Sequence, residues 1–173
     1  MSESLATPAP AASTADRLRG RMRNPWLMRL YMLVKLPLAL IAGVRVREVD
    51  RERCVVTIPY GWRTTNPFRS TYFAALSMAA EMSTGALSMV VVQSAPAPVA
   101  MLIVHMEASF DKKATAMTTF TCEDGAKAIA AVEETLRTGE PATARLESVG
   151  RMPDGTEVAR FAFTWSFKRR SKR

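Results

Sequence analysis

The longest apolar stretch of the sequence covers residues 70–92, where nearly every side chain is apolar or small. Glu81 is the only charged residue in this stretch. A helix that is hydrophobic on all faces is typical of a protein interior. We therefore predict a central helix over residues 70–92 that the rest of the domain wraps. Residues that recur at helical spacing on its predicted core face are Tyr72, Phe73, Leu76, Ala79 and Ala80.

Six other segments show the alternation of a half-buried β-strand. They cover residues 44–50, 54–59, 99–110, 115–122, 142–152 and 156–168. A short amphipathic helix is predicted over residues 124–138, and Pro153-Asp154-Gly155 is a strong turn signal between the last two strands. The order is a helix, two strands, the buried helix, two strands, a helix and two strands. It predicts an α+β domain in which a curled antiparallel sheet wraps one long apolar helix.

An N-terminal helix is predicted over residues 24–42. Asn24 is a favoured N-cap residue, and Pro25 suits the first helical position. Pro37 should kink or end this helix, and Gly43 should close the segment. Three interpretations of this apolar run stay open: a helix packed on its own domain, an interfacial helix on a membrane, and a transmembrane or signal segment.

The net positive charge of the sequence is concentrated in its two terminal segments. Residues 1–23 carry +2 of the net charge of +8, and the last six residues carry +5, so the remaining body is nearly neutral. We predict a disordered basic tail over residues 1–23, a single domain over 24–168 and a basic tail over 169–173. A neutral body does not favour specific nucleic-acid binding. The expected location is cytoplasmic, with a peripheral membrane contact through the tail and the N-terminal helix as an open alternative.

Cysteine and histidine are scarce. Cys54 and Cys122 lie in predicted strands and are expected to be buried free thiols, with a disulfide as the alternative. His105 is the single histidine, so we expect no metal site and no cofactor. Alternation places His105 on the polar face of strand 99–110, as a surface or interface residue. The opposite, apolar face is expected to pack on the central helix and contains Leu102, Val104, Met106, Ala108 and Phe110.

The entry to the central helix resembles that of hotdog-fold acyl-CoA thioesterases, including the phenylacetyl-CoA type. Those enzymes have an Asn, then a His-Gly-Gly six residues later, then an Asp or Glu nine residues after the His. Here Asn66 is followed at the same intervals by Tyr72-Phe73-Ala74 and by Glu81. The similarity covers roughly residues 24–168. It looks closest to a hotdog-like family of unknown function in which a Tyr-Phe-small sequence replaces His-Gly-Gly.

This resemblance implies a role for each residue of the pattern. Glu81 would be the base or nucleophile, and the N–H groups of Phe73 and Ala74 would polarise the thioester carbonyl. Asn66 would orient the water or the loop, and Tyr72 stands in place of the His. Apolar surroundings should raise the pKa of Glu81.

Structural alternatives exist for the same residues. Glu81 could be satisfied by arginine or backbone donors across the core or a dimer interface, Asn66 could be a turn residue, and Tyr72 could be simple core. Lys112 and Lys113 could meet the phosphates of coenzyme A, or could be a solvated turn. A Cβ now stands at two positions where the resembled enzymes have glycine, which would narrow the site or abolish catalysis.

Two functions follow from these observations. The first is a thioesterase that hydrolyses an acyl-CoA or a related acyl thioester without a cofactor. The resemblance implies a homodimer, or a dimer of dimers, that pairs through strand 99–110 and forms its sites between subunits. The second is a non-catalytic hotdog module that binds a lipid or acyl group, with a weak contact to a membrane surface.

Overall fold

A computed structural model describes residues 24–170. The predicted tail of residues 1–23 and the last three residues of the basic C-terminal tail lie outside this range. Four helices, α1 to α4, cover Pro25–Lys35, Pro37–Ala42, Phe73–Gln93 and Gly125–Thr138. Six strands, β1 to β6, cover Arg45–Val49, Cys54–Ile58, Val99–Phe110, Thr118–Cys122, Ala142–Arg151 and Glu157–Arg169. The order of helices and strands is the predicted one, with the N-terminal helix divided into α1 and α2.

The strands form one antiparallel sheet in the order β1-β2-β4-β5-β6-β3. Helix α3 packs against the inner face of this sheet, and α4 packs against α3, β5 and β6. Leu76, Ala79 and Ala80 are buried in the core between α3 and the sheet. The predicted α+β architecture, a curled sheet around a long apolar helix, is confirmed.

The start of α3 differs from the prediction. Tyr72 and Phe73 were expected on the core face, but their exposed fractions are 49% and 56%. Tyr72 has an extended conformation and is the N-cap, so the helix begins at Phe73 rather than at Ser70. The helical spacing identifies a face of the helix, but it does not tell where the sheet that covers this face ends.

Strand β3 is an edge strand, and a bulge changes which of its residues share a face. Ile103 pairs with Trp165 and His105 pairs with Thr164, so Val104 is an extra residue in β3. The extra residue shifts the alternation by one position. The predicted apolar face is therefore wrong before the bulge and correct after it. Leu102 lies on the outer face of the sheet, whereas the inner face continues through Met101, Ile103, Met106, Ala108 and Phe110.

The inner face of β3 is also less buried than predicted. Met106 and Phe110 remain substantially exposed, because in a single chain the sheet ends at this strand. His105 lies on the polar outer face of the sheet, as predicted. Its Nε2 is 3.3 Å from the carboxylate of Glu107, which is also exposed on this face. Further ion pairs extend across the outer face through Arg145, Glu147, Arg160 and Glu157.

The two N-terminal helices follow the predicted local signals. The Asn24 carboxamide oxygen accepts hydrogen bonds from the N–H groups of Trp26 and Leu27 at 3.0 and 3.3 Å. The chain bends at Leu36, directly before Pro37, where a proline prevents helix continuation. Gly43 ends α2 with a φ of 82°, a left-handed conformation that glycine adopts without steric cost.

Candidate functional site

Asn66 organises the loop that leads into α3. Its Oδ1 accepts hydrogen bonds from the N–H groups of Phe68 and Ser70 at 3.0 and 3.2 Å. Its Nδ2 donates to Ser70 Oγ at 3.1 Å. The loop is then tied to the segment after β3, because the N–H of Thr71 donates to the Ala114 carbonyl at 2.7 Å. The hydrogen bonds of Asn66 therefore fix the conformation of the loop that precedes α3.

The first turn of α3 presents free hydrogen-bond donors. The first N–H groups of a helix have no partner within the helix, and here the N-cap side chain of Tyr72 does not supply one. Within residues 24–170, the N–H groups of Phe73 and Ala74 make no hydrogen bond, whereas that of Ala75 donates to the Tyr72 carbonyl at 2.9 Å. Two adjacent unpaired N–H groups at the positive end of a helix dipole are suited to stabilise an oxyanion.

A cleft of about 610 Å³ opens beside this first turn. The Asn66 loop forms one side, and the segment after β3, with Lys112 and Lys113, forms the other. The Nζ of Lys113 donates to the Phe68 carbonyl at 3.2 Å, which bridges the two sides. The apolar wall of the cleft contains Phe73, Leu76 and Phe110, and the Phe73 and Phe110 rings meet edge to face.

Glu81 lies in the middle of α3 and has no charged or hydrogen-bonding partner for its carboxylate within residues 24–170. Burial among apolar groups raises the pKa of Glu81 above its ordinary value of 4.5, because desolvation disfavours the ionised form. No arginine or backbone donor satisfies this carboxylate inside the described chain, so that structural alternative applies only across a subunit interface. A carboxylate with a raised pKa and no partner among the described residues is a candidate functional group.

Gly85 and Trp165 define the surroundings of Glu81. A Cβ built on Gly85 would lie 3.0 Å from Glu81 Oε1 and 3.3 Å from the Trp165 ring. The indole Nε1 of Trp165 donates to Thr84 Oγ1 at 3.1 Å, so this N–H is already paired. The Glu81 carboxylate and the indole ring of Trp165, a β6 residue, therefore both lie close to Gly85.

The sequence reasoning missed Gly85, Thr84 and Trp165. A glycine four residues after Glu81, within a helix of good helix formers, was the available signal, because glycine weakens a helix unless a close contact requires it. Ser88 continues the same helical face, and its hydroxyl is buried without a hydrogen-bond partner in the described part of the chain. Nothing in the sequence linked these positions to a tryptophan in the last strand.

The structure brings together only part of the predicted site. Asn66, Tyr72 and Phe73 line the cleft with Lys112 and Lys113. Ala74 has an N–H group in the same first turn of α3, but its side chain does not line the cleft. Glu81 is eight residues from Phe73, which corresponds to about 12 Å along a helix. One carbonyl group cannot contact both the first turn of α3 and the Glu81 carboxylate of the same chain.

Other candidate chemistry is separate from this site. Cys54 in β2 and Cys122 in β4 are buried free thiols. They occupy directly opposite positions of these two paired strands. Burial raises the pKa of Cys122 to about 12, so its thiol stays protonated near neutral pH. Residues 24–170 contain no group of three or more His, Cys, Asp or Glu side chains placed to hold a metal ion.

Comparisons with known proteins identify the fold. The sequence profile of the family described as Domain of unknown function (DUF4442) matches residues 24–167. A protein of unknown function from Pseudomonas aeruginosa, described as a probable thioesterase, is 19% identical with a TM-score of 0.71. The match covers 87% of this chain and 100% of the other.

A thioesterase from Haemophilus influenzae is 13% identical with a TM-score of 0.60, and the match covers 81% of this chain and 88% of the other. A protein of unknown function from Chlorobaculum tepidum is 14% identical with a TM-score of 0.73, with coverage of 91% and 98%. A comparison with curated protein sequences gave no significant match. Because the sequence identities are low, these comparisons establish the fold alone. They confirm the hotdog fold that was expected from the Asn66–Glu81 pattern.

Proposed function

The chain belongs to the DUF4442 family, and from this premise we propose that it is a homodimeric hydrolase of acyl thioesters, with acyl-CoA as the substrate class. The observation that carries this proposal is the Glu81 carboxylate, which is unpaired and largely desolvated on the central helix. Thioester hydrolysis needs such a base together with donors for an oxyanion. Structural neighbours that are named as thioesterases support the same reaction class.

In the proposed reaction, Glu81 accepts a proton from water while the water oxygen bonds to the thioester carbonyl carbon. The N–H groups of Phe73 and Ala74 donate to the oxygen as it becomes negative. When this intermediate collapses, the carbon–sulfur bond breaks, and the thiol leaves with a proton returned from Glu81. The products are a carboxylic acid and a free thiol.

The distance between the two ends of the site supports the participation of a second subunit. The Glu81 carboxylate and the Trp165 ring both lie close to Gly85, and Trp165 belongs to β6, which pairs with β3 at the end of the described sheet. β3 has twelve residues, and within the described chain it pairs only with β6, which leaves its other edge unpaired. Unpaired edges with exposed apolar residues favour pairing with another strand. In a symmetric dimer formed through β3, Glu81 of one subunit would approach the first turn of α3 in the other.

The cleft matches the two chemical parts of an acyl-CoA. The aromatic and aliphatic wall formed by Phe73, Leu76 and Phe110 suits an acyl chain. Lys112 and Lys113 at the other side would approach the phosphates, and the bond from Lys113 to Phe68 leaves further ammonium protons free. The buried thiols are typical of a reducing compartment, which supports a cytoplasmic location.

The second candidate, an acyl-binding module without catalysis, rests on the side chain of Phe73. Its ring packs on Tyr72 and Phe110 at centroid distances of 4.9 and 6.5 Å. This ring occupies part of the space that a glycine at the same position leaves open for a substrate.

Thiol release from short, long and aromatic acyl-CoAs separates the two candidates. We expect hydrolysis of at least one substrate by the wild type and a loss of at least about a hundredfold in Glu81→Gln. Glu133→Gln is the matched control, because Glu133 is exposed on α4. Equal turnover by Glu81→Gln and wild type would remove Glu81 from the mechanism. Absence of turnover across the panel, with a folded protein that binds acyl-CoA, would favour the binding module.

A further inference from the structure

Helices α1 and α2 carry an apolar surface that the domain does not cover. Met28 and Met32 of α1 are buried against the domain. Most of the other large apolar residues of both helices are exposed, with Trp26 at 75% and Leu38 at 66%. Scattered apolar residues are common on protein surfaces, but a continuous apolar helix face indicates a binding surface.

The exposed residues of α1 form one face that points away from the domain. Successive residues of a helix are about 100° apart, so Trp26, Leu30 and Val34 fall within an arc of about 80°. The buried Met28 and Met32 lie on the opposite side. Arg29 and Lys35 fall at the two borders between the domain-facing side and the exposed apolar face. An apolar face bordered by basic residues is the pattern of a helix that lies in the interface of a bilayer.

The charge around this face has one sign. Between Asp16 and Glu48 the sequence has Arg and Lys residues but no Asp or Glu. Arg45 and Arg47 of β1 line a small groove of about 90 Å³ together with Arg29. Within residues 24–170, none of Arg29, Lys35, Arg45 and Arg47 forms an ion pair with an acidic side chain. These cations are therefore available to an anionic surface.

The aromatic residues fit the same location. Trp26 and Tyr31 are exposed on α1, and the Arg29 guanidinium lies 5.5 Å from the centre of the Trp26 ring. Tryptophan and tyrosine are enriched at the level of lipid headgroups, because their rings are apolar at one end and polar at the other.

We propose that α1 and α2 bind the surface of an anionic lipid bilayer, with the apolar face of α1 inserted at the headgroup level. Neither helix spans the membrane, since 11 and 6 residues extend only about 17 and 9 Å, against about 30 Å of hydrocarbon. Among the described residues, the one helix with the length and hydropathy of a span is α3, and it is mostly buried in the domain. The attachment places the acyl site beside a membrane, but it does not depend on catalysis.

The test is sedimentation of the full chain with phosphatidylcholine vesicles that contain or lack phosphatidylserine. We expect binding to the phosphatidylserine vesicles and at least about tenfold weaker binding by Trp26→Ser/Leu30→Ser, because apolar insertion is lost. Trp62→Ser is the matched control, since Trp62 is 87% exposed on a loop outside both helices. Its binding should equal that of the wild type. Circular dichroism should show that all variants retain the fold.

A second pair of measurements tests the electrostatic part. Arg29→Gln/Lys35→Gln should weaken binding to phosphatidylserine vesicles at low salt, with a smaller difference at high salt. Three outcomes would overturn the proposal: no binding by the wild type, equal binding by Trp26→Ser/Leu30→Ser, or an equal loss in Trp62→Ser. Loss of self-association in Trp26→Ser/Leu30→Ser, with no vesicle binding by the wild type, would show that a second copy covers this face.

Discussion

At the level of single residues, Glu81 is buried where ionisation of its carboxylate is unfavourable, and this carboxylate has no partner among residues 24–170. Burial desolvates Glu81 and raises its pKa, and the nearby indole N–H of Trp165 is already paired with Thr84 Oγ1. A raised pKa makes the ionised form a stronger base, but the group works as a base only above that pKa.

Ionisation of the buried Glu81 carboxylate should lower the free energy of unfolding. Because the pKa of Glu81 is higher in the folded than in the unfolded chain, stability falls as pH rises from the ordinary pKa of 4.5 through the raised value. We expect Glu81→Gln to have a higher Tm than the wild type at about pH 8, with the difference decreasing toward about pH 4. Thermal unfolding at both pH values measures it, and Glu133→Gln should show no such pH-dependent gain. A lower Tm for Glu81→Gln at pH 8 would show that the carboxylate has a stabilising partner.

The proposed oxyanion donors can be tested at Phe73. Proline is tolerated at the first position of a helix, and Tyr72, with φ of −62° and ψ of 135°, has a conformation compatible with a following proline. Phe73→Pro removes the N–H group and the ring, whereas Phe73→Ala removes only the ring. We expect kcat to fall about 10²–10³-fold further in Phe73→Pro than in Phe73→Ala. Equal kcat values in the two variants would exclude the Phe73 N–H as a donor.

At the level of elements, β3 has exposed apolar side chains on its inner face and an unpaired edge. The bulge at Val104 keeps Met106, Ala108 and Phe110 on the inner side, in line with the aromatic residues of β6. The ion pairs of the outer face, such as Arg145 with Glu107, keep that side polar. An apolar inner face beside an edge that has no partner strand among the described residues favours pairing with a strand of a second chain.

A charge on the inner face of β3 should prevent dimer formation. Met106→Glu would place a carboxylate in the proposed interface without disturbing the monomer, because Met106 is 45% exposed in the single chain. Met117→Glu is the matched control on a loop, where the methionine is 42% exposed. Light scattering during size exclusion should show a monomer for the first variant and a dimer for the second. Dimers of equal stability for both variants would place the interface elsewhere.

At the level of the whole molecule, the proposed reaction depends on the proposed dimer, because Glu81 and the first turn of α3 are about 12 Å apart along one helix. Mixing separately inactive Glu81→Gln and Phe73→Pro chains should restore activity, because a mixed dimer has one intact site. Random pairing of a symmetric dimer predicts recovery to about a quarter of the wild-type activity. Each variant mixed with itself is the control. No recovery, in a mixture shown to exchange subunits, would indicate that both groups act within one chain.

The proposed membrane-binding face and the proposed active site belong to different elements. The first belongs to α1 and α2, and the second to the start of α3, its middle and the β3 edge. Substitution of Trp26 should therefore leave hydrolysis of soluble acyl-CoA unchanged, while Glu81→Gln should leave vesicle binding unchanged. A dimer would present two copies of α1, so that two weak contacts with one membrane act together.

The sequence by itself determined the order of elements, the buried nature of α3 and the position of Glu81 within it. These properties depend on local spacing, because alternation, helical period and the signals at Asn24, Pro37 and Gly43 act over a few residues. The sequence also identified the loop at Asn66. The hydrogen bonds by which the Asn66 side chain holds this loop are known only from the structure.

Only the tertiary structure decided which residues share a face and which meet across the fold. The extra residue in β3 reversed the face of Leu102, because a bulge depends on pairing with β6 rather than on the sequence of β3 alone. Tyr72 and Phe73 are exposed because they line the open cleft at the start of α3, and no local spacing shows where that cleft lies. The approach of Trp165 to Gly85 joins residues about eighty positions apart, and no local pattern contains that information.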